Sequence, residues 1–348
     1  RRRLIQLHHL ARQFGGFARQ GLHRFVRFLE DAAESDAGAM PDSAAADDAP
    51  TAEADPDVIT FVESEAEAEP QAADAQAEAG EALGMAEGEA EPADAGGRRI
   101  RYLEVGGGDG VPVLFLHGFG GDLNNWLFNQ TEVAEGRKAI ALDLPGHGGS
   151  TKEVGEGDVG SLTNAVCDFL DALSIPKAHL VGHSLGGAVG LDMALNHAER
   201  VASATLVCPA GLGPDISMAY IDGFMTTGRA RKLRPILEML VADPKLVTNE
   251  MVEDVLRFKR LDGVDTALNT IATACFAGGR QTLQLTPRLG ELRVPVQVIW
   301  GEQDRIVPAS HGLGLPAAIK VTRFADAGHL AHMEKAGEVN ELIKTFTA

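Results

Sequence analysis

Ser184 lies in Gly182-His183-Ser184-Leu185-Gly186, with a glycine two places to either side. That spacing suits a nucleophile held in a tight strand-to-helix turn, where only small flanking residues let the backbone close. Such a turn lifts the hydroxyl above the edge of a sheet. It also leaves the Leu185 N–H at a helix N-terminus, aimed at the charge that develops on a carbonyl oxygen under attack. A second donor is expected from Leu116-His117-Gly118-Phe119-Gly120-Gly121, where His117 and Gly118 precede the N–H of Phe119. A serine of this kind needs a base, and the base needs an acid to orient it. His329, in Ala325-Asp326-Ala327-Gly328-His329, follows the last expected strand and is the candidate base. His332 is the competing imidazole, and Asp326 reads as a turn residue. Asp304, after a strand ending at Trp300, is the candidate acid, with Glu302 as runner-up. Serine, acid, histidine is the chain order this type of turn calls for.

These side chains converge only if the intervening elements carry them to one edge. Ile100 to Val105 alternates like an outer strand, and Val113 to Leu116, Ala139 to Leu142 and His179 to Val181 are short apolar runs of buried parallel-strand type. Val201 to Val207, Val296 to Trp300 and Val321 to Phe324 continue the series. Helical stripes intervene: Leu162, Val166, Phe169, Leu170 and Leu173; Leu185 to Asn196; and finally Glu338 to Phe346. The rhythm predicts an α/β domain over 98–348, with a doubly wound, mostly parallel sheet. It stops between about 210 and 293, where Leu233, Ile236, Leu237, Leu240 and Val241 form one stripe and Met251, Val252, Val255 and Leu256 another, with Gly263 past its end. That stretch is expected to be a helical lid over the carboxyl edge of the strands, where open α/β sheets bind ligands. Met218, Tyr220, Phe224 and Met225 could line its inner face or simply pack.

Upstream the composition changes. Residues 1–30 hold seven Arg and one acid, with Leu4, Leu7, Leu10, Phe14 and Phe17 at helical spacing and a break at Gly15-Gly16. They read either as a transit peptide or membrane-surface helix, or as the remnant of a lost domain. Residues 31–97 hold 20 acids and no base, with few apolar side chains, and are expected to form a disordered acidic Ala/Glu/Pro linker. Residues 98–348 carry 24 bases and 29 acids, so most of the chain's net charge of −19 belongs to the linker. A domain so balanced excludes nucleic acid as a partner. No apolar run reaches the ~18 residues of a membrane span, so no membrane role is expected. Cys167, Cys208 and Cys275 are widely spaced and odd in number, and are expected to be reduced and buried in a cytoplasmic protein.

The remaining signals have plain readings. His183 is expected to pack or hydrogen-bond locally, and His147, in Leu144-Pro145-Gly146-His147-Gly148, to be a loop residue. Gly106-Gly107-Gly108 opens no helix, so it is not a dinucleotide fingerprint. No Cys, His, Asp or Glu set has metal-ligand spacing, and no bound metal or cofactor is expected.

Taken together, these motifs resemble the α/β-hydrolase superfamily over about 98–348. The stretches GGDLNNWLFNQ, ALDLPGHGGS, PAGLGPDI, YIDGF and RFKRLDGVDTAL are similar to the catalytic domain of the dihydrolipoamide acetyltransferase component of bacterial acetoin dehydrogenase complexes. That resemblance implies a lipoyl domain, a flexible linker and a hydrolase-fold domain. Here the first lysine is Lys138, so no residue before it could carry a lipoyl group. The resemblance implies transfer of acetyl from dihydrolipoamide to coenzyme A through Ser184, with a lipoyl protein and thiamine-dependent dehydrogenase subunits as partners. A stand-alone ester or thioester hydrolase would use the same residues, with water as acceptor. Serine as nucleophile counts against dehalogenase and epoxide-hydrolase chemistry. A non-catalytic binding module of this fold would be expected to lack one of Ser184, Asp304 and His329, and all three are present.

Overall fold

The apolar runs become the strands of one eight-stranded sheet in the computed structural model, which describes residues 90–348. The expectations for residues 1–30 and for most of the linker lie outside the described residues. In chain order the elements are β1 (Glu91–Ala95), β2 (Arg98–Gly106), β3 (Gly110–Leu116) and β4 (Arg137–Leu142). Then come α1 (Val159–Ala172), β5 (Ala178–His183), α2 (Leu185–Asn196) and β6 (Val201–Val207). Four helices follow: α3 (Met218–Thr226), α4 (Ala230–Leu237), α5 (Asn249–Phe258) and α6 (Val264–Cys275). The chain ends with β7 (Val296–Gly301), β8 (Lys320–Phe324), the short α7 (Ala331–Glu334) and α8 (Ala336–Thr347).

The strand order is β1-β2-β4-β3-β5-β6-β7-β8. β2 runs antiparallel to both neighbours, and all later pairings are parallel. Every residue of β7 and the last four of β3, β4 and β5 are buried, as strands covered on both faces must be. The doubly wound, mostly parallel α/β sheet read from the sequence is therefore the fold. Among the described residues, no helix is long and apolar enough to cross a membrane.

Two boundaries differ from the sequence reading. The sheet begins at Glu91, inside the stretch assigned to linker up to residue 97, so β2 is not the outer strand. Gly96 and Gly97 adopt φ of 60° and 81°, and Ala95 pairs with Arg98 across this two-residue turn. Both positive angles suit glycine. Asp94 closes the turn by accepting the Gly97 N–H at 2.8 Å, and Ala95 is fully buried. A strand reading Glu-Pro-Ala-Asp-Ala has no β-branched residue, so its composition masks it. Gly263 does not merely follow a helix: it is the N-cap of α6, with φ 79°. Cys208 and Cys275 are buried thiols, whereas Cys167 is only partly buried.

The helical insertion sits where the sequence placed it, between β6 and β7. Ser217 and Thr248 cap α3 and α5 by accepting the N–H of Tyr220 and Met251. Leu233, Leu237, Val252 and Leu256 are its buried anchors.

Candidate active site

At the end of β5 the chain turns directly into α2, and Ser184 occupies the corner with φ 51° and ψ −113°. L-residues rarely adopt such a conformation, and it persists only where surrounding bonds hold it. Here they do. Ser184 N–H donates to the Val207 carbonyl at 3.0 Å, and its carbonyl accepts from Ala188 and Ala210 N–H, each at 3.0 Å. The flanking glycines are dictated by close backbone approach. A Cβ at Gly182 would sit 2.3 Å from the Gly186 carbonyl oxygen, and one at Gly186 would sit 2.3 Å from that of Leu116. Ser184 is 8 % exposed, and among the described residues its hydroxyl carries no hydrogen bond and is not sealed from solvent.

The loop after β3 runs alongside. A Cβ at Gly118 would lie 3.0 Å from the Ser184 Cβ. The His117 Nε2 accepts the Leu144 N–H at 2.9 Å, so its proton is on Nδ1, which donates to the Gly118 carbonyl at 2.8 Å. Burial lowers the pKa of this imidazole and keeps it neutral. The Gly118 carbonyl also accepts the Gly121 N–H at 3.1 Å. Its peptide plane is thereby fixed, and the Phe119 N–H on the same plane points the opposite way. Neither Phe119 N–H nor Leu185 N–H is engaged by a loop or turn acceptor among the described residues. Both remain available to an oxygen beside Ser184.

The Asp304 carboxylate and the His329 ring meet at 2.8 Å, Oδ2 to Nδ1, with both side chains almost wholly buried. Four N–H groups converge on this carboxylate. Ile306 and Val307 N–H donate to Oδ1 at 2.8 and 3.0 Å; Trp300 Nε1–H, at 3.1 Å, and His329 donate to Oδ2. His329 therefore carries its proton on Nδ1 and presents Nε2 as an acceptor. The runner-up residues are elsewhere. Glu302 is exposed and pairs with Arg323 at 3.5 Å. Asp326 is exposed on Lys335, as a turn residue would be. His332 is sealed between the Trp126 and His183 rings, at 4.4 and 4.6 Å, and burial lowers its pKa to about 3.

Two histidines with plain sequence readings lie against this machinery. His183 Nε2–H donates to the His329 carbonyl at 2.9 Å, and its ring centroid is 4.6 Å from that of His329. Burial, reinforced by His329 and His332, pushes its pKa well down, so it sets no fixed positive charge beside His329. His147, expected in an ordinary loop, is fully buried, and its Nε2 accepts the Gly120 N–H at 3.1 Å. A histidine between glycines has no periodicity to mark it, so its neighbours had to come from the fold. Phe224 of α3 meets the Phe119 ring at 5.9 Å, and the Tyr220 ring lies 5.9 Å from that of Phe224, tilted by 36°. The insertion thus rests on the loop beside Ser184, and Met218 and Met225 are half-buried at its edge.

The spacing of the chain showed no metal-ligand set, yet the fold brings Cys208 Sγ, an Asp304 oxygen and a His329 nitrogen within 4.8 Å. The donors are already committed. Both carboxylate oxygens accept N–H groups, and burial, then the Asp304 charge, pushes the Cys208 thiol well above its ordinary pKa. The cluster reads as a hydrogen-bonded support for the His–Asp pair.

The family comparison agrees with this geometry: the model for the alpha/beta hydrolase fold matches residues 111–336. The chain belongs to that family. Among curated proteins it is 46% identical over 290 residues to the dihydrolipoyllysine-residue acetyltransferase component of the acetoin cleaving system of Pseudomonas putida, covering 81% of this chain and 78% of that protein. The corresponding component from Cupriavidus necator is 45% identical, with 72% and 67% covered. A 2-hydroxy-6-oxo-6-phenylhexa-2,4-dienoate hydrolase of Comamonas testosteroni is 30% identical, with 71% and 90% covered. Among solved structures, a meta-cleavage product hydrolase from Pseudomonas fluorescens aligns with a TM-score of 0.67 at 25% identity, covering 74% of this chain and 96% of that one. In this alpha/beta hydrolase domain a His–Asp pair, a serine at a strained corner and two unengaged N–H groups are the parts that hydroxyl activation and oxyanion stabilisation require.

Proposed function

We propose that this chain is an acyltransferase that moves an acetyl group from a dihydrolipoyl thioester to coenzyme A through an acyl-enzyme on Ser184. The observation that carries the reading is the identity of 46% and 45% to two acetyltransferase components of acetoin cleaving systems, on a chain that holds Ser184, Asp304 and His329.

In the first half-reaction Ser184 Oγ attacks the thioester carbonyl while His329 Nε2 takes its proton. The Phe119 and Leu185 N–H groups hold the oxyanion, and Asp304 stabilises the imidazolium through its 2.8 Å bond to Nδ1. Collapse breaks the C–S bond, and His329 returns the proton to the departing dihydrolipoyl sulfur. In the second, the coenzyme A thiol gives its proton to His329 and attacks the acyl-enzyme. Ser184 leaves with that proton, and acetyl-coenzyme A is released. A lipoyl protein that delivers the acyl group and the thiamine-dependent dehydrogenase subunits that charge it are the implied partners. No metal or prosthetic group enters this scheme.

A hydrolase is the second reading, favoured by relatives near 30% identity that are named hydrolases. Incubation with acetyl-dihydrolipoamide, with and without coenzyme A, separates the two. The transferase reading expects acetyl-coenzyme A, with little acetate while the thiol is present. Free acetate at an unchanged rate in both incubations would overturn it in favour of the hydrolase.

A further inference from the structure

We propose that His147 is a positioning residue, whose ring nitrogen anchors the loop presenting the Phe119 N–H to the oxyanion and whose ring seats the helical insertion on that loop. The inference rests on the reading of Phe119 as an oxyanion donor.

The 117–121 loop has two anchors, one on each side of Phe119. On one side His117 holds the Gly118 carbonyl at 2.8 Å. On the other, Gly120 N–H donates to His147 Nε2 at 3.1 Å. Gly120 has φ 75°, where glycine is at ease but no side chain can fix the backbone. The loop therefore depends on its partners to define the Phe119 peptide. His147 can serve only as the neutral tautomer with its proton on Nδ1, which faces the Pro145 carbonyl at 3.1 Å. Complete burial and the neighbouring His117 hold its pKa well below the ordinary value. A protonated ring would oppose a second N–H to that of Gly120.

The same ring joins three segments. It belongs to the loop after β4, it bonds the loop after β3, and it stacks on Phe258 of α5 at 6.3 Å with 11° between planes. It also meets the Phe119 ring edge-on at 6.1 Å. Phe224 closes the far side, and a Cβ at Gly120 would sit 2.5 Å from its ring. A shift of the insertion must therefore move either His147 or the loop it holds. An oxyanion donor acts only when placed within hydrogen-bond reach of the developing charge, so small displacements lower turnover without altering ground-state binding.

The test compares His147→Phe, which keeps an aromatic ring and loses the acceptor, with His147→Gln, whose amide oxygen can accept the Gly120 N–H. Hydrolysis of p-nitrophenyl acetate is the assay, because both the transferase and the hydrolase reading expect it. His147→Phe is expected to lower kcat by about 10- to 100-fold with KM within about twofold, less than the full loss of a donor. His147→Gln is expected to recover kcat to within about fivefold of the parent. His147→Leu replaces the Phe variant if the larger ring does not fold. Unchanged kcat in a folded variant without the acceptor, or an equal loss in the Gln variant, would overturn the proposal. Failure of the parent chain to turn over the ester at all would instead overturn the serine mechanism.

Discussion

Replacing Asp304 with Asn changes one atom, and the structure dictates where that change falls. Oδ1 accepts from two backbone N–H groups, at 2.8 and 3.0 Å. The amide oxygen must stay there, because an NH2 group in that place would leave both backbone N–H groups without an acceptor. The NH2 therefore takes the Oδ2 position, against Trp300 Nε1–H and His329 Nδ1. It donates to Nδ1 and drives the His329 proton to Nε2. In the proposed scheme Nε2, the nitrogen that takes the Ser184 proton, then becomes a donor and cannot accept it. In a triad such a wrong tautomer lowers kcat by about 10⁴, roughly 5 kcal/mol of transition-state stabilisation. Trp300 Nε1–H keeps a second acceptor, the Val307 carbonyl at 3.2 Å, so the cost to folding is about 1–3 kcal/mol. That amounts to a melting temperature lower by roughly 2–12 °C. Ester hydrolysis at 25 °C, with thermal melts of both proteins, measures the two effects separately. Glu302→Gln, which alters only an exposed pair with Arg323, is the control and is expected to leave turnover unchanged. A folded Asp304→Asn protein within tenfold of the parent rate would refute the tautomer argument.

Ser184→Ala removes the only nucleophile of the scheme while keeping the backbone bonds of the corner; acyl transfer is expected to drop by about 10⁶-fold, and fluorophosphonate labelling to vanish, with the melting temperature little changed. Gly186→Ala forces a Cβ to within 2.3 Å of the Leu116 carbonyl, and is expected to destabilise by about 3 kcal/mol or more, read as a lower denaturation midpoint together with lost activity. His332, buried and held to about pKa 3, is neutral in the folded chain. Its folded pKa lies below the unfolded value near 6.5, so the unfolded chain binds more protons in that window and stability falls as pH drops from 6.5 toward 3. At pH 5 this one group accounts for about 2 kcal/mol. His332→Phe is expected to flatten the dependence of unfolding free energy on pH between 6.5 and 4; an unchanged slope would remove His332 as its source.

Much of this was legible from residue types alone. Strand and helix periodicity located seven of the eight strands and the helical insertion, because buried parallel strands are written as short apolar runs. The exception, β1, has an alanine-rich acidic sequence, and only its Gly-Gly turn and the partner strand make it a strand. Ser184 stood out because a strained corner restricts its flanking residues to glycine, which leaves a mark in the sequence.

For the candidate partners the sequence offered only their place after a strand. Glu302 and Asp304, or His329 and His332, are equally acidic or basic as letters. What separates them is which carboxylate receives four N–H groups, and which imidazole is left with an open nitrogen rather than sealed between rings. The sequence by itself determined the fold class and the candidate nucleophile, since periodicity and local backbone strain act over a few consecutive residues. Tertiary structure decided the bonding of the candidate acid and base, Asp304 and His329, and the contacts of His117, His147 and His183. Those depend on directional bonds between segments remote in the chain, and nothing local in a sequence encodes a direction.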